Sequence, residues 1–211
     1  MDNKRDTKEI ILECANKLFA QKGFDGTSIR DICNEADVNV SSINYHFKNK
    51  ESLYQALFEK NRLWFESQIK NIGEDKSLTT VQFVKKLYDF FLDNGSALMN
   101  CFKIMLTDSV SPPEAPAPGK EDPEFGPPGG RYLLEVISRD VGEDIPYEAR
   151  FWAMRMIFSN IFHHGIIMNT SYVCSMKAKA PNFTRENQER DFEYMVTALL
   201  TYLKENPQKW S

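Results

Sequence analysis

The sequence predicts an all-α protein with a small N-terminal head of three helices, which contains a helix-turn-helix, and a larger helical body. Three observations lead to this fold class. Apolar residues recur at helical spacing along most of the 211 residues. Serine, threonine and asparagine stand where helices would begin. Glycine and proline, ten of each, are scarce outside one segment, which favours long helices over a turn-rich β protein.

The first two helices of the head are delimited by residues that end and begin helices. Apolar residues at helical spacing predict one helix over about 7–21, and Gly23 follows as a stop. Ser28, with Asp31 three places further on, has the spacing of a capping box. This spacing predicts that the second helix begins at Ser28.

The third helix lies in the segment NVSSINYHFKNK, residues 39–50, which contains no acidic residue although the chain carries a net charge of -4. Asn39 is placed to cap a helix that runs to about His46. Two short helices joined by a turn of three or four residues match the helix-turn-helix plan, whose second helix enters the DNA major groove. Because a duplex repels carboxylates at contact distance, the missing acids predict that this helix faces DNA.

Composition alone leaves a second interpretation open, because serine, asparagine and lysine are also common on solvated helix faces. Residues 1–51 contain eight Lys and Arg against nine Asp and Glu, so the head as a whole is not basic. Any affinity for DNA would therefore be local to one face.

The rest of the chain is also expected to be helical. Asn49 is placed to cap a fourth helix that runs to about Asn71. Five further helices are predicted over 79–94, 96–108, 131–140, 147–172 and 185–205. The segment 110–130 is predicted to be an irregular loop, because 111–130 alone contains seven of the ten prolines. The domains would be a head over 1–51 and a body over 52–211.

Several other classes of protein are disfavoured. The N-terminus is charged at once, which predicts no signal peptide, and the most apolar stretch, 151–168, is interrupted by polar residues and is expected to be a buried helix instead of a membrane span. Four cysteines without paired spacing argue against a zinc site or a disulfide framework and fit the cytoplasm. We expect no metal and no cofactor.

Two alternative functions remain. A redox-sensing regulator would act through Cys33 or Cys101, although Cys33 lies on an apolar stripe where an inert buried thiol is expected. A helical enzyme would have to work without the phosphate-binding, zinc-protease, nucleophile-elbow or dithiol motifs, none of which occurs.

The stretch IILECANKLFAQKGFDGTSIRDICNEADVNVSSINYHFKNKESLY resembles the N-terminal domain of the TetR family of transcriptional regulators. That family's pattern has a first helix ending in Leu-Phe, a glycine with an aromatic residue, a Thr or Ser that opens the second helix, and a closing Tyr-His-Phe with a lysine beyond. Here the closing elements are Tyr45, His46, Phe47 and Lys50. Asn44 departs from the family's usual aromatic residue, and the segment is most similar to the CecR-like subgroup.

The resemblance implies a role for each matching position of the head. Ser28 and Arg30 would reach DNA from the second helix. The residues expected to face bases are Val40, Ser41, Ser42 and Asn44. The residues expected to hold phosphates are Tyr45, His46 and Lys50. The expected core residues are Phe19, Phe24, Ile32, Val38 and Phe47.

For the body, the resemblance implies a homodimer on a palindromic operator and a repressor released by its ligand. The dense aromatic and methionine residues in the middle of the chain suit a small, mostly apolar or aromatic effector. The candidate effector contacts are Phe102, Met105, Trp152, Arg155, Asn160, His163 and His164. Neighbouring helix positions diverge by about 100°, so His163 and His164 are poor joint metal ligands. By spacing alone the last helix could present either core or interface; the resemblance implies an interface. The predicted interface residues are Phe162, Phe192, Met195, Val196, Leu199, Leu200 and Leu203.

Overall fold

The structure, a computed structural model, describes residues 6–106, 127–177 and 184–210. These ranges contain helices and no strand, which confirms the all-α prediction. The α-helices are α1 (Thr7–Lys22), α2 (Ile29–Ala36), α3 (Val40–Phe47), α4 (Lys50–Gly73), α5 (Thr80–Asp93), α6 (Gly95–Met105), α7 (Gly130–Val141), α8 (Tyr147–Met168), α9 (Ser171–Lys177) and α10 (Arg185–Glu205). The loop predicted over 110–130 lies outside the described residues as far as 126.

The helix predicted over 147–172 is shorter than expected. It ends at Met168, and a separate short helix, α9, follows. The side-chain amide of Asn169 donates to the carbonyl oxygens of Gly165 (2.7 Å) and Phe91 (3.2 Å). The bond to Gly165 satisfies a carbonyl in the last turn of α8, where the helix itself supplies no partner. It therefore favours the end of the helix at this point.

The chain forms two compact units. One contains the described parts of Met1–Trp64 and Ala97–Ala117, and the other those of Phe65–Ser96 and Pro118–Ser211. The helices α4 and α6 each contribute residues to both units. The division into a DNA-binding head over 1–51 and a body over 52–211 stays a prediction.

The first unit has its core between α1, α2, α3 and the start of α4. Ile11, Ile32, Ile43 and Leu53 are fully buried there. Among the predicted core residues Phe19, Phe24, Ile32 and Phe47 are buried, and Val38 is half-buried. Burying a large apolar side chain stabilises a fold by about 1.5–3 kcal/mol, so each residue of this cluster helps to hold the three short helices together.

An aromatic cluster joins the head helices to α4 and α6 within this unit. The ring of Tyr54 meets those of Phe19 and Phe24 edge-on, with centroids 4.9 and 5.2 Å apart. The Tyr54 hydroxyl donates to the carbonyl oxygen of Ile104 at 2.9 Å. The carbonyl belongs to the last turn of α6, where helical carbonyls lack partners along the helix.

The second unit packs α5, α7, α8 and α10 around Phe83, Leu87, Tyr88 and Phe91, all 0–1% exposed. Gly165 of α8 allows a close approach to α5, because a Cβ at this position would lie 2.1 Å from Cδ1 of Phe91. No helix within the described ranges is long and apolar enough to cross a bilayer.

Candidate nucleic-acid interface

The second helix of the head begins at the capping box that its sequence predicts. The Ser28 hydroxyl accepts from the backbone N–H of Asp31 (3.1 Å), and the Asp31 carboxylate accepts from the backbone N–H and hydroxyl of Ser28 (2.9 and 2.7 Å). These hydrogen bonds lower the pKa of Asp31 below its ordinary value. The exposed side chains of Ser28 and Arg30 therefore stand at a well-defined helix start.

A turn of three residues, 37–39, separates α2 from α3, as predicted. Asp37 adopts the left-handed conformation (φ 51°), and its N–H donates to the carbonyl of Cys33. The N–H of Val38 donates to the same carbonyl at 3.0 Å. An aspartate tolerates this conformation better than most residues, so the turn is compatible with its sequence.

The third helix depends on the side chain of Asn39. Its amide oxygen accepts from the backbone N–H of Ser42 (2.9 Å) and from the hydroxyls of Ser41 (2.5 Å) and Ser42 (3.0 Å). The predicted cap is thus confirmed, and it satisfies one of the backbone donors that every helix start leaves unpaired.

The two faces of α3 differ sharply in exposure. Ile43 and Phe47 are 0% and 4% exposed and seat the helix on the core. The opposite face presents Val40 (44% exposed) and Tyr45 (84% exposed) together with Ser41 and Asn44. Ser42 and His46 are half-buried. The predicted base-facing residues Val40, Ser41 and Asn44 therefore lie exposed on a helix without acidic residues, although the hydroxyls of Ser41 and Ser42 both donate to the cap.

Lys50 is placed differently from the other predicted contacts. It is half-buried, and its ammonium donates to the carbonyl oxygens of Phe24 (2.9 Å) and Thr27 (3.1 Å). Lys48, which the sequence pattern did not single out, is exposed at the C-cap of α3. The position of Lys48 directly after the third helix is the sequence signal by which this residue could have been predicted as a candidate.

The predicted effector contacts are divided between the two units. Phe102 is buried and Met105 half-buried on α6, in the first unit. The other five lie on α8, and three of these, Arg155, Asn160 and His163, are exposed. Polar residues on this otherwise apolar helix thus face outward.

The two remaining α8 candidates have partners within the second unit. The Trp152 ring lies 5.2 Å from that of Trp210. The His164 ring lies 5.3 Å from that of Phe192, and its Nδ1 is 2.9 Å from the carbonyl oxygen of Asn160. Both side chains therefore already pack against partners in the second unit.

The apolar stripe of α10 packs into its own chain. Phe192, Val196 and Leu203 are 2%, 0% and 0% exposed, Leu200 is 9% exposed, and Phe162, Met195 and Leu199 are half-buried. The intramolecular alternative is therefore the correct one for the buried positions, because α5, α7 and α8 cover this face. The exposed large apolar residues of α8 and α10 are Tyr147, Met156, Tyr194 and Tyr202.

The described cysteine side chains do not have the properties of redox sensors. Burial raises the pKa of Cys33 and raises that of Cys101 to about 12; desolvation also raises the pKa of Cys14. A raised pKa keeps the thiol protonated, whereas the thiolate is the reactive form. This disfavours the redox alternative at these three positions.

The head has the geometry of a helix-turn-helix DNA-binding domain. Residues 11–57 match the family model described as bacterial regulatory proteins, tetR family. A segment of 90 residues is 40% identical to the probable HTH-type transcriptional regulator YttP of Bacillus subtilis, over 41% of this chain and 42% of that protein. A segment of 52 residues is 38% identical to IcaR of Staphylococcus epidermidis, a negative transcriptional regulator of the biofilm operon icaADBC, over 25% of this chain and 28% of that protein.

The matches to both curated relatives span less than half of the relatives' length. For the fold, the likeness extends further. The crystal structure of the Bacillus subtilis transcriptional regulator FadR in complex with stearoyl-CoA aligns with a TM-score of 0.53 at 15% identity, over 92% of this chain and 96% of that one. Residues 11–57 are thus similar to the DNA-binding part of the TetR family of transcriptional regulators, and the solved structure shows a likeness of fold.

The cap of α3 can be tested by two substitutions of Asn39. Asn39→Ala removes the acceptor and should lower the free energy of unfolding by about 1 kcal/mol. Asn39→Asp keeps an acceptor at the cap and should leave stability within about 0.5 kcal/mol of wild type. Urea unfolding of the full chain, followed by circular dichroism, measures both. Equal losses in the two variants would contradict the capping role.

Proposed function

We propose that this protein is a transcriptional repressor of the TetR type, acting in the cytoplasm, that binds a near-palindromic operator as a homodimer and is released by a small effector. The observation that carries the proposal is the exposed, acid-free face of α3, whose start is capped by Asn39 and whose opposite face is buried. The assignment to the CecR-like subgroup, which rests on Asn44 and its neighbours, is part of the proposal.

Base readout is assigned to the exposed residues of α3. Asn44 has the paired donor and acceptor that recognise adenine, Ser41 can serve several bases, and the methyl groups of Val40 suit the methyl of thymine. Ser28 and Arg30 would reach the duplex from α2. Tyr45 and His46, whose rings lie 5.0 Å apart, would contact phosphates at the far end of α3, where Lys48 adds charge.

The homodimer is proposed to form through the outward surfaces of α8 and α10 in the second unit. Met156, Tyr194 and Tyr202 are large apolar side chains exposed on these helices, and half-buried Trp152 and Leu199 lie on the same two helices. Exposed apolar patches of this kind often mark interaction surfaces. To read a palindrome, such a dimer needs its two copies of α3 roughly 34 Å apart, in successive major grooves.

The effector site is proposed to lie in the body. Tyr88 is fully buried, burial raises its pKa to about 12, and its hydroxyl has no hydrogen-bond partner among the described residues. An unpaired buried hydroxyl costs about 1–3 kcal/mol, so an effector that bonds to it would gain affinity. FadR was crystallised with stearoyl-CoA. A largely apolar effector with one polar group would suit this second unit.

Release follows from differential affinity. The effector lowers operator affinity only to the extent that it binds better to a conformation with α3 misplaced, typically by about 1–3 kcal/mol. This corresponds to roughly a 5- to 150-fold weaker operator complex.

Selection from a random-sequence DNA pool, followed by fluorescence-anisotropy titration, tests the DNA-binding function. We expect an enriched site with two inverted half-sites about 10 base pairs apart and an affinity that falls steeply with salt. Asn39→Asp is the matched test variant, because it keeps the cap but places a carboxylate at the start of α3. It should bind the site at least about tenfold more weakly than the wild-type protein. A pool with no enriched sequence would refute the function.

Asn44→Ala tests the base readout. Loss of a bidentate contact removes about 1–3 kcal/mol of discrimination, so the selected consensus should relax at one position in each half-site. Asn34→Ala, an exposed asparagine on α2, is the control and should leave the consensus unchanged. An unaltered consensus for Asn44→Ala would remove this residue from the base readers.

Met156→Glu tests the dimer surface. A carboxylate buried without a partner is strongly destabilising, so the dimer dissociation constant should rise at least about 100-fold, as measured by sedimentation velocity. Met176→Glu provides the control, because Met176 is similarly exposed (42% against 37%) but lies on α9. A dimer that is equally stable in both variants would place the interface elsewhere.

A further inference from the structure

The ammonium group of Lys50 has three partners in the first unit. Two are the carbonyl oxygens of Phe24 (2.9 Å) and Thr27 (3.1 Å). The third is the aromatic ring of Phe24, whose centroid lies 4.0 Å from Nζ. A lysine has three N–H donors and no more. The two carbonyls take two of these donors and the ring attracts the charge, so a phosphate would compete with contacts that the ammonium already makes.

The electrostatic setting of Lys50 favours these partners. Lys50 is the first residue of the 24-residue helix α4, where the positive end of the helix dipole disfavours a cation. Phe24 follows closely after the C-terminus of α1, where the negative end of that helix favours one. The side chain thus extends from a helix start that disfavours its charge to a helix end that favours it.

The two carbonyls bound by Lys50 belong to the loop that leads into α2. Thr27 is 1% exposed, and its hydroxyl donates to the carbonyl oxygen of Gly23 (2.8 Å), with the carbonyl oxygen of Leu18 also within reach (3.3 Å). The next residue, Ser28, caps α2. On the other side, Lys50 follows α3 by two residues. One side chain therefore ties the start of α2 to the junction of α3 and α4.

We infer that Lys50 is a positioning residue for DNA recognition and not a phosphate ligand. It acts through the loop 23–27, by holding the start of α2 in register with α3, while the exposed Lys48 makes the phosphate contact at the end of α3. The inference rests on the proposed DNA-binding function, and it reverses the role that the sequence pattern implies for Lys50.

The dependence of operator affinity on salt distinguishes the two roles. A residue that neutralises a phosphate contributes about 1 to the slope of log affinity against log salt, and its loss lowers the slope by that amount. We compare Lys50→Met and Lys48→Met in the full-length protein on the selected operator at five salt concentrations. Both substitutions remove a charge and keep a side chain of similar length. Circular dichroism establishes that each variant is folded at the assay temperature.

Lys50→Met should weaken binding roughly tenfold at every salt concentration with an unchanged slope, whereas Lys48→Met should lower the slope by about 1. A slope that falls by about 1 in Lys50→Met would show a phosphate contact and overturn the inference. An affinity that is unchanged in folded Lys50→Met would show a purely structural role and overturn it as well. Failure of the wild-type protein to bind a selected site would instead refute the proposed function.

Phe24→Leu gives a second measurement should Lys50→Met not fold. It removes the ring beneath the ammonium, leaves both lysine charges in place and changes a side chain that is 9% exposed. If Lys50 acts through the loop, Phe24→Leu should weaken operator binding severalfold at an unchanged slope. If Lys50 serves as a phosphate ligand, releasing it from the ring should leave binding equal or tighter.

Discussion

The amide oxygen of Asn39 is the acceptor on which the surface of the head depends. It receives three hydrogen bonds at the start of an eight-residue helix, which is too short to be stable alone. An aspartate would cap the helix equally well and would also favour its dipole. Asparagine supplies the same acceptor without a charge, so the helix can be capped and still approach a polyanion.

The rest of the head holds that helix in place by ordinary packing. Ile43 and Phe47 seat α3 on a core shared with α1 and α2, and the aromatic cluster around Tyr54 continues this core to α4 and α6 in the same unit. Lys50 and Thr27 add polar contacts around the loop that leads into α2. The buried face of α3 thus contributes to stability through packing, and the exposed face is left available for contacts with a partner.

Local signals in the sequence were sufficient for much of this arrangement. The caps at Ser28 and Asn39 were predictable because donor and acceptor are three residues apart, and the helices were predictable from their apolar spacing. The direction in which the α10 stripe faces was not, since a stripe at helical spacing has the same appearance whether α5 or a second subunit covers it. The role of Lys50 was hidden for a related reason: its partners lie 23 and 26 residues away along the chain.

The separation of the two faces of α3 also bears on how such a head can diverge. Ser41, Asn44 and Tyr45 are exposed and outside the core, so mutation at these positions should carry little cost in folding. The chemistry of this face could therefore change one side chain at a time while the packing of the head stays the same. The constraint on this face is that it carries no negative charge, and the same constraint applies to Asn39, the residue that caps the helix.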